Sequence, residues 1–166
     1  MKRLLVAAIL ACCVPGAQAQ WEIRSAADTS PAPRYAAAEN SDGYRLRVFK
    51  DQHGTAHGTF TLRPGFDVFA QGGCPTIRID SQRPLNLSVD GNACEVKGSR
   101  ADFVLGTISS GEIHSTVLFQ LMNGNTMELR FQLKGVGYRE TRFSLQHSKQ
   151  TLAEIIGPDV AVAEGQ

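Results

Sequence analysis

The stretch Ile113-His-Ser-Thr-Val-Leu-Phe-Gln-Leu-Met-Asn-Gly-Asn-Thr-Met-Glu-Leu-Arg-Phe-Gln-Leu133 decides how this chain is expected to fold. Apolar residues alternate on both sides of Asn123-Gly124-Asn125, the pattern of a β-hairpin with turn chemistry at its centre. A two-residue Asn-Gly loop would set Phe119 opposite Glu128 and Val117 opposite Arg130, pairing apolar with charged residues. A three-residue loop sets Leu121 opposite Met127, Phe119 opposite Leu129 and Val117 opposite Phe131, and buries one continuous face. The second register is therefore expected, with a left-handed Asn125 closing the turn and Val117, Phe119, Leu121, Met127, Leu129, Phe131 and Leu133 forming a core face.

Similar alternation marks short strands at Tyr44-Arg-Leu-Arg-Val-Phe49, Thr59-Phe-Thr-Leu62, Thr76-Ile-Arg-Ile-Asp80, Leu85-Asn-Leu-Ser-Val89 and Phe103-Val-Leu105. Turn residues punctuate them at Asp42-Gly43, Pro64-Gly65, Gly72-Gly73, Asp90-Gly91 and Ser110-Gly111. This predicts a mainly β fold, an antiparallel β-sandwich or barrel. One short C-terminal helix is expected, from Ser148 as candidate N-cap to the stop at Gly157-Pro158, with Leu152, Ile155 and Ile156 on one face. Ala26 to Gly43, with Pro31, Pro33 and an alanine run, reads as a long connection, and 159–166 as a flexible tail.

The N-terminus reads as a secretory signal. Lys2 and Arg3 precede the apolar run Leu4 to Val14, and Pro15-Gly16 leads to Ala17-Gln18-Ala19, predicting a cleaved peptide over 1–19. The run is shorter than the roughly 20 residues a membrane-spanning helix needs, so no membrane insertion is expected after processing. Ile9-Leu10-Ala11-Cys12 offers the alternative of an outer-membrane lipoprotein anchored through Cys12. The remaining 20–158 read as a single β-rich domain, a length suited to one core.

Losing Lys2 and Arg3 from 17 basic residues leaves 15 against 16 acidic ones, a formal charge of −1. Such a balance gives no grip on nucleic acid or anionic lipid. Of four cysteines, Cys12 and Cys13 leave with the signal, and in a periplasmic or secreted protein the remaining Cys74 and Cys94 are expected to pair. Closing that loop stabilises a fold by roughly 3 kcal/mol.

His53 and His57, with Asp51 nearby, are weak candidates for a metal site, because zinc sites usually need three or four protein ligands; an exposed polar turn accounts for the same residues. Ser109-Ser110-Gly111 lacks the flanking pattern of a hydrolase elbow. Asp80, Asp90, Glu95 and Asp102 sit beside turn residues, where carboxylates serve the backbone. Arg78, Arg83, Arg100, Arg130, Arg139 and Arg142 alternate with apolar residues and are expected on a solvent face, meeting an acidic partner or simply maintaining solubility. Gly135-Val-Gly137 opens no helix and reads as a strand bend, and Asn86-Leu-Ser88 matches a glycosylation triplet. No catalytic residue and no cofactor are expected from these patterns.

The order of features resembles the invasion-associated locus B proteins, small exported proteins of Gram-negative bacteria. The resemblance rests on Trp21-Glu-Ile-Arg24, a strand near Tyr44, Ile77-Arg-Ile-Asp80, Asp90-Gly-Asn-Ala-Cys94, the hairpin, Phe131-Gln-Leu-Lys-Gly135, and Phe143-Ser-Leu145 followed by a helix with Leu152. It departs in its cysteines: Ser25 and Tyr35 stand near places where the family carries cysteine, and Cys94 reaches back to Cys74 instead of to a close neighbour. The resemblance implies a sandwich-like fold, an association with entry into host cells, and no catalytic residues to carry over. Three functions fit: a non-enzymatic periplasmic or surface protein binding a protein of the envelope or host, a small β-barrel inhibitor of a lysozyme or protease presenting Ala26 to Gly43 or Phe66 to Gly73, and a hydrolase whose residues converge only in the fold.

Overall fold

The computed structural model describes residues 20–26, 33–65, 67–88, 94–109 and 112–161. The expected signal peptide, Cys12, Phe66, Val89, the Asp90-Gly91 turn, Ser110-Gly111 and 162–166 lie outside the described residues. Among those described, twelve strands and two helices follow one another. They are β1 (Gln20–Ser25), β2 (Arg34–Glu39), β3 (Arg45–Lys50), β4 (Thr55–Thr61), β5 (Thr76–Ile79), β6 (Leu85–Asn86), β7 (Glu95–Lys97), β8 (Arg100–Ser109), β9 (Glu112–His114), α1 (Thr116–Asn123), β10 (Thr126–Leu133), β11 (Gly137–Ser144), α2 (Ser148–Ile156) and β12 (Val160–Ala161).

The strands make two sheets in a sandwich-like arrangement and no closed barrel. The larger runs β1-β2-β3-β4-β8-β9-β12, with β7 added on β8; the smaller runs β11-β10-β5-β6. Pairing is antiparallel except between β9 and β12. Inward-pointing residues of both sheets meet in one aromatic centre. Phe60 of the larger sheet lies 5.2 Å from Phe131 of the smaller, and Tyr44, Phe69 and Phe143 surround them at 5.4 to 6.4 Å. Tilted and edge-to-face pairs of this kind add about 1 kcal/mol each to the burial of their area.

Polar bonds lock the sheets where they meet. Buried Asn40, between β2 and β3, donates through Nδ2 to Thr141 Oγ1 (2.7 Å) and to the Arg142 carbonyl (2.8 Å), both on β11. Its Oδ1 accepts the backbone N–H groups of Asp42 and Tyr44. The Trp21 indole N–H donates to the Ser144 carbonyl at 3.0 Å. Buried amides of this type destabilise the fold when left unpaired; here each polar atom is used.

The hairpin expected over Ile113 to Leu133 is corrected by the structure. Ser115 caps α1, its hydroxyl accepting the Leu118 N–H and donating to the Leu105 carbonyl, so Thr116–Asn123 is helical. Val117, Leu118, Leu121 and Met122 form the buried stripe, at helical spacing, and Phe119 is 37% exposed. Asn125 is not left-handed; among the described residues the non-glycine ones with positive φ are Asp80 and His147. Gly124 serves tight packing, since a Cβ there would stand 2.3 Å from Ile79 Cγ2. The second arm is as expected: Met127, Leu129, Phe131 and Leu133 all face the core. They sit between β11 and β5, not beside a first hairpin arm.

Three further expectations change. A strand, β2, runs through the region read as a long connection from Ala26 to Gly43. The C-terminal helix is present with Leu152, Ile155 and Ile156 buried, but its cap is His147, and Ser148 is its first residue, donating to the Leu121 carbonyl. Val160–Ala161, assigned to the flexible tail, pair with β9.

Gly58 of β4 faces Phe103 of β8 directly in the ladder. A Cβ at Gly58 would lie 2.1 Å from the Phe103 ring, so the ring covers the glycine backbone. Gly58→Ala is expected to lower stability by about 1–3 kcal/mol through overpacking, measured by denaturant unfolding, and Phe103→Leu in the same chain to recover part of the loss. An unchanged unfolding midpoint in Gly58→Ala would contradict this packing.

Candidate functional site

Because alternate residues of β10 enter the core, Glu128, Arg130 and Gln132 point outward, and β11 and β5 add Arg142, Glu140, Tyr138 and Arg78 to the same face. Glu128 is gripped from both sides. Arg142 donates to it through Nε and Nη2 at 3.1 Å, and Arg78 from the opposite neighbour strand. Burial works against the Glu128 charge, but the hydrogen bonds from Arg142 and Arg78 outweigh it and hold the carboxyl below its ordinary value. Further along, the Arg130 guanidinium lies 4.6 Å from the Tyr138 ring centroid and 3.9 Å from Glu140.

This face runs into a cleft at one end of the sandwich. Segment 67–71 is tied to the smaller sheet by Ala70 N–H to the Gln132 carbonyl (2.8 Å) and Lys134 N–H to the Val68 carbonyl (2.9 Å). It is tied to the β7–β8 turn by Phe69 N–H to the Gly98 carbonyl (2.9 Å). Between this segment and the β10–β11 turn opens a volume of about 730 Å³, its apolar walls Val68, Phe69, Val96, Leu133 and Val136. Gly135 and Gly137, both at positive φ, shape the turn that holds Val136 out. A second hollow of about 450 Å³ adjoins it, sharing Gln132 and bounded by Tyr138 and Cys74. Of the four large apolar residues exposed among those described, three gather here: Val68 at 37%, Val136 at 51% and Tyr138 at 61%. The fourth, Phe119, borders a separate hollow of about 270 Å³ beside Asp80 and Gln82.

Cys74 and Cys94 form a disulfide, with Cα atoms 6.0 Å apart, at the rim of the second hollow. His53 and His57 are not brought together as ligands: the His53 ring meets Gln52, whereas His57 meets Asp51 and stacks on Phe49 at 5.2 Å. No group of three or more His, Cys, Asp or Glu able to hold a metal occurs among the described residues. Asp80 accepts the backbone N–H groups of Asn125 and Thr126, Glu95 pairs with Lys97, and Asp102 accepts from Thr59 and Arg100. These carboxylates serve turns and ladders. Arg78, Arg83, Arg100, Arg130, Arg139 and Arg142 are all exposed. Of the segments considered for insertion into an enzyme, 67–71 is bound on both sides with Phe69 buried. Residues 27–32 lie outside the described residues. Val68, Val136 and Tyr138 are the site residues that sequence reasoning missed, since nothing in their local pattern distinguishes an exposed apolar residue from a buried one.

Asp51 organises its own turn. Its Oδ1 accepts the N–H groups of His53 (2.8 Å) and Thr55 (2.9 Å), and its Oδ2 lies 2.9 Å from His57 Nε2. A carboxylate only accepts, so Nε2 carries the proton. The His57 hydrogen bond, followed by that from Thr55, lowers the Asp51 pKa from 3.8 to about 2. The folded state therefore favours the charged form. Its contribution to stability is complete above 3.8 and is lost as pH falls through about 2. NMR titration of the Asp51 carboxyl carbon is expected to give a midpoint near 2, moving up toward 3.8 in His57→Ala. An ordinary midpoint in the parent protein would refute this arrangement.

No protein-family model matches the sequence, and no curated protein matches it. The fold does have a solved counterpart. The crystal structure of invasion associated protein B from Bartonella henselae is similar with a TM-score of 0.54 at 12% identity, over 84% of this chain and 93% of that one. At that identity the likeness concerns the fold, which is the sandwich that the family resemblance implies.

Proposed function

We propose that this chain is an exported binding protein that acts without catalysis, engaging another protein through the outer face of β5, β10 and β11 and the cleft at its end. The observation that carries this reading is the gathering of Val68 and Val136 at that cleft and of Tyr138 at the hollow adjoining it. Exposed apolar residues collected in one place, rimmed by polar groups such as Gln71, Gln132 and Lys134, are the usual mark of a contact surface. Export is supported by the signal-like pattern over 1–19 and by the disulfide, which persists in oxidising compartments. A setting in contact with host cells is part of the proposal, supported by the resemblance and by the fold shared with a Bartonella protein described as invasion-associated.

The face combines an aromatic ring and guanidinium groups, residue types that dominate binding energy at protein interfaces, beside an open cleft with partly apolar walls. Photocrosslinking tests it. A benzoylphenylalanine is placed at Val136, at Tyr138, or at Arg47, which is exposed on the outer side of the larger sheet. The full chain is then produced in a Gram-negative bacterium, and envelope fractions, alone and with host cells, are irradiated. Discrete adducts are expected from positions 136 and 138 and none from 47. Absence of adducts from both, or the same adducts from 47, would overturn the proposal.

A further inference from the structure

The smaller sheet ends in β11, whose far side meets no other strand among the described residues. Along a strand, the backbone groups of alternate residues point to the same side. The Arg142 and Ser144 carbonyls point away from β10, since they accept from Asn40 Nδ2 and the Trp21 indole. Tyr138 and Glu140 share their parity, so their N–H and C=O groups also point away from β10. Arg139, Thr141 and Phe143 face the ladder instead. The β11 edge is thus divided. Its second half is covered by the chain's own Asn40 and Trp21, and in its first half the outward backbone groups of Tyr138 and Glu140 meet no partner among the described residues.

Proteins commonly protect an open edge with proline, a bulge or lysine. Charged side chains serve the same end, and this half carries Arg139 and Glu140, but beside them stand Tyr138 and, in the preceding turn, Val136, the two most exposed large apolar residues among those described. Resting on the binding role proposed above, we propose that the open half of β11 accepts an extended peptide segment of another protein as an added strand, with apolar and acidic residues alternating in that segment. Strand addition of this kind takes affinity from backbone hydrogen bonds and specificity from alternate side chains.

Charge selects the occupant. Arg139 makes no ion pair among the described residues, whereas Arg130 and Arg142, on the outer face, are already paired with Glu140 and Glu128, so Arg139 is the cation left to meet an incoming strand. A residue of the incoming strand opposite Arg139 would share its side of the sheet, which favours a carboxylate there. Residues opposite Tyr138 and Glu140 would lie on the outer face beside the Tyr138 ring, which favours apolar side chains. A second copy of this chain fits poorly. Antiparallel self-pairing through Tyr138 and Glu140 turns about Arg139 and sets two arginines directly opposite, a destabilising pair.

The test uses the signal-free chain and two synthetic peptides, one alternating valine with glutamate and one alternating valine with lysine. Binding is read by fluorescence anisotropy and amide chemical shifts. The glutamate peptide is expected to bind about tenfold or more tightly than the lysine peptide, to lose affinity as salt rises, and to shift the amides of Tyr138 to Glu140. Glu140→Pro removes an outward N–H while leaving the β10 ladder intact, and is expected to weaken binding by about tenfold. Arg139→Glu, which leaves the backbone unchanged, is expected to reverse the preference between the peptides.

Equal binding of the two peptides, full binding by a folded Glu140→Pro chain together with no reversal in Arg139→Glu, or a Glu140-dependent dimer of the free chain would overturn the proposal. Crosslinks from positions 136 and 138 that persist in Glu140→Pro would dismiss strand addition while leaving the binding face in place. Loss of those crosslinks in the parent chain would dismiss the face itself.

Discussion

Phe60 holds the two sheets to one another. It sits fully buried on β4, the fourth strand of its sheet counted from the β1 edge, and its ring packs against Tyr44, Phe69, Phe131 and Phe143. Phe131 and Phe143 belong to the opposing sheet, and Phe69 to the segment that walls the cleft. The spacing between sheets, the position of β10, and the placing of segment 67–71 all follow from how these rings pack. Once Phe131 points inward, the two-residue period of β10 turns Arg130 and Gln132 outward. The face proposed for binding is the reverse side of the core.

Part of this was legible in the sequence because different folds would demand the same thing of it. Met127, Leu129, Phe131 and Leu133 alternate strictly, and any strand they form must bury that face. The preceding segment was misread because Val117 and Leu121 are buried either as a strand or as a helix. Phe119 and Leu118 decide between them, one 37% exposed and the other wholly buried. Ser115, three residues before Leu118, was the available signal for a helix start. The strand β2 escaped for a different reason. Ala36, Ala37 and Ala38 are all buried, so no alternation exists to read, and long side chains such as Arg24 and Arg47 border the small residue on the outer side.

The candidate site was less legible than the fold. Cys74 and Cys94 follow from counting, and the exposed arginines from alternation. The cleft does not, since it joins residues near 68, 96 and 136 that no local pattern relates. Nor does the division of the β11 edge. That division depends on Asn40, roughly a hundred residues away in sequence, and on Trp21, further still. Both side chains find carbonyl oxygens that an open edge would otherwise leave to water. Their reach ends before Glu140, which leaves Tyr138 and Glu140 on the only stretch of β11 where exposed backbone and exposed apolar surface coincide among the described residues.

Hydrogen exchange along β11 tests this account most directly, because neighbouring amides should differ by parity. The amides of Arg139, Thr141 and Phe143, which face β10, should be strongly protected in the free protein, and those of Tyr138 and Glu140 should exchange at close to unprotected rates. Uniform protection through 138–144 would show that the edge is covered, and uniform rapid exchange would show that β11 is not held in the sheet. Either pattern would contradict the structure of the face on which the proposed function rests.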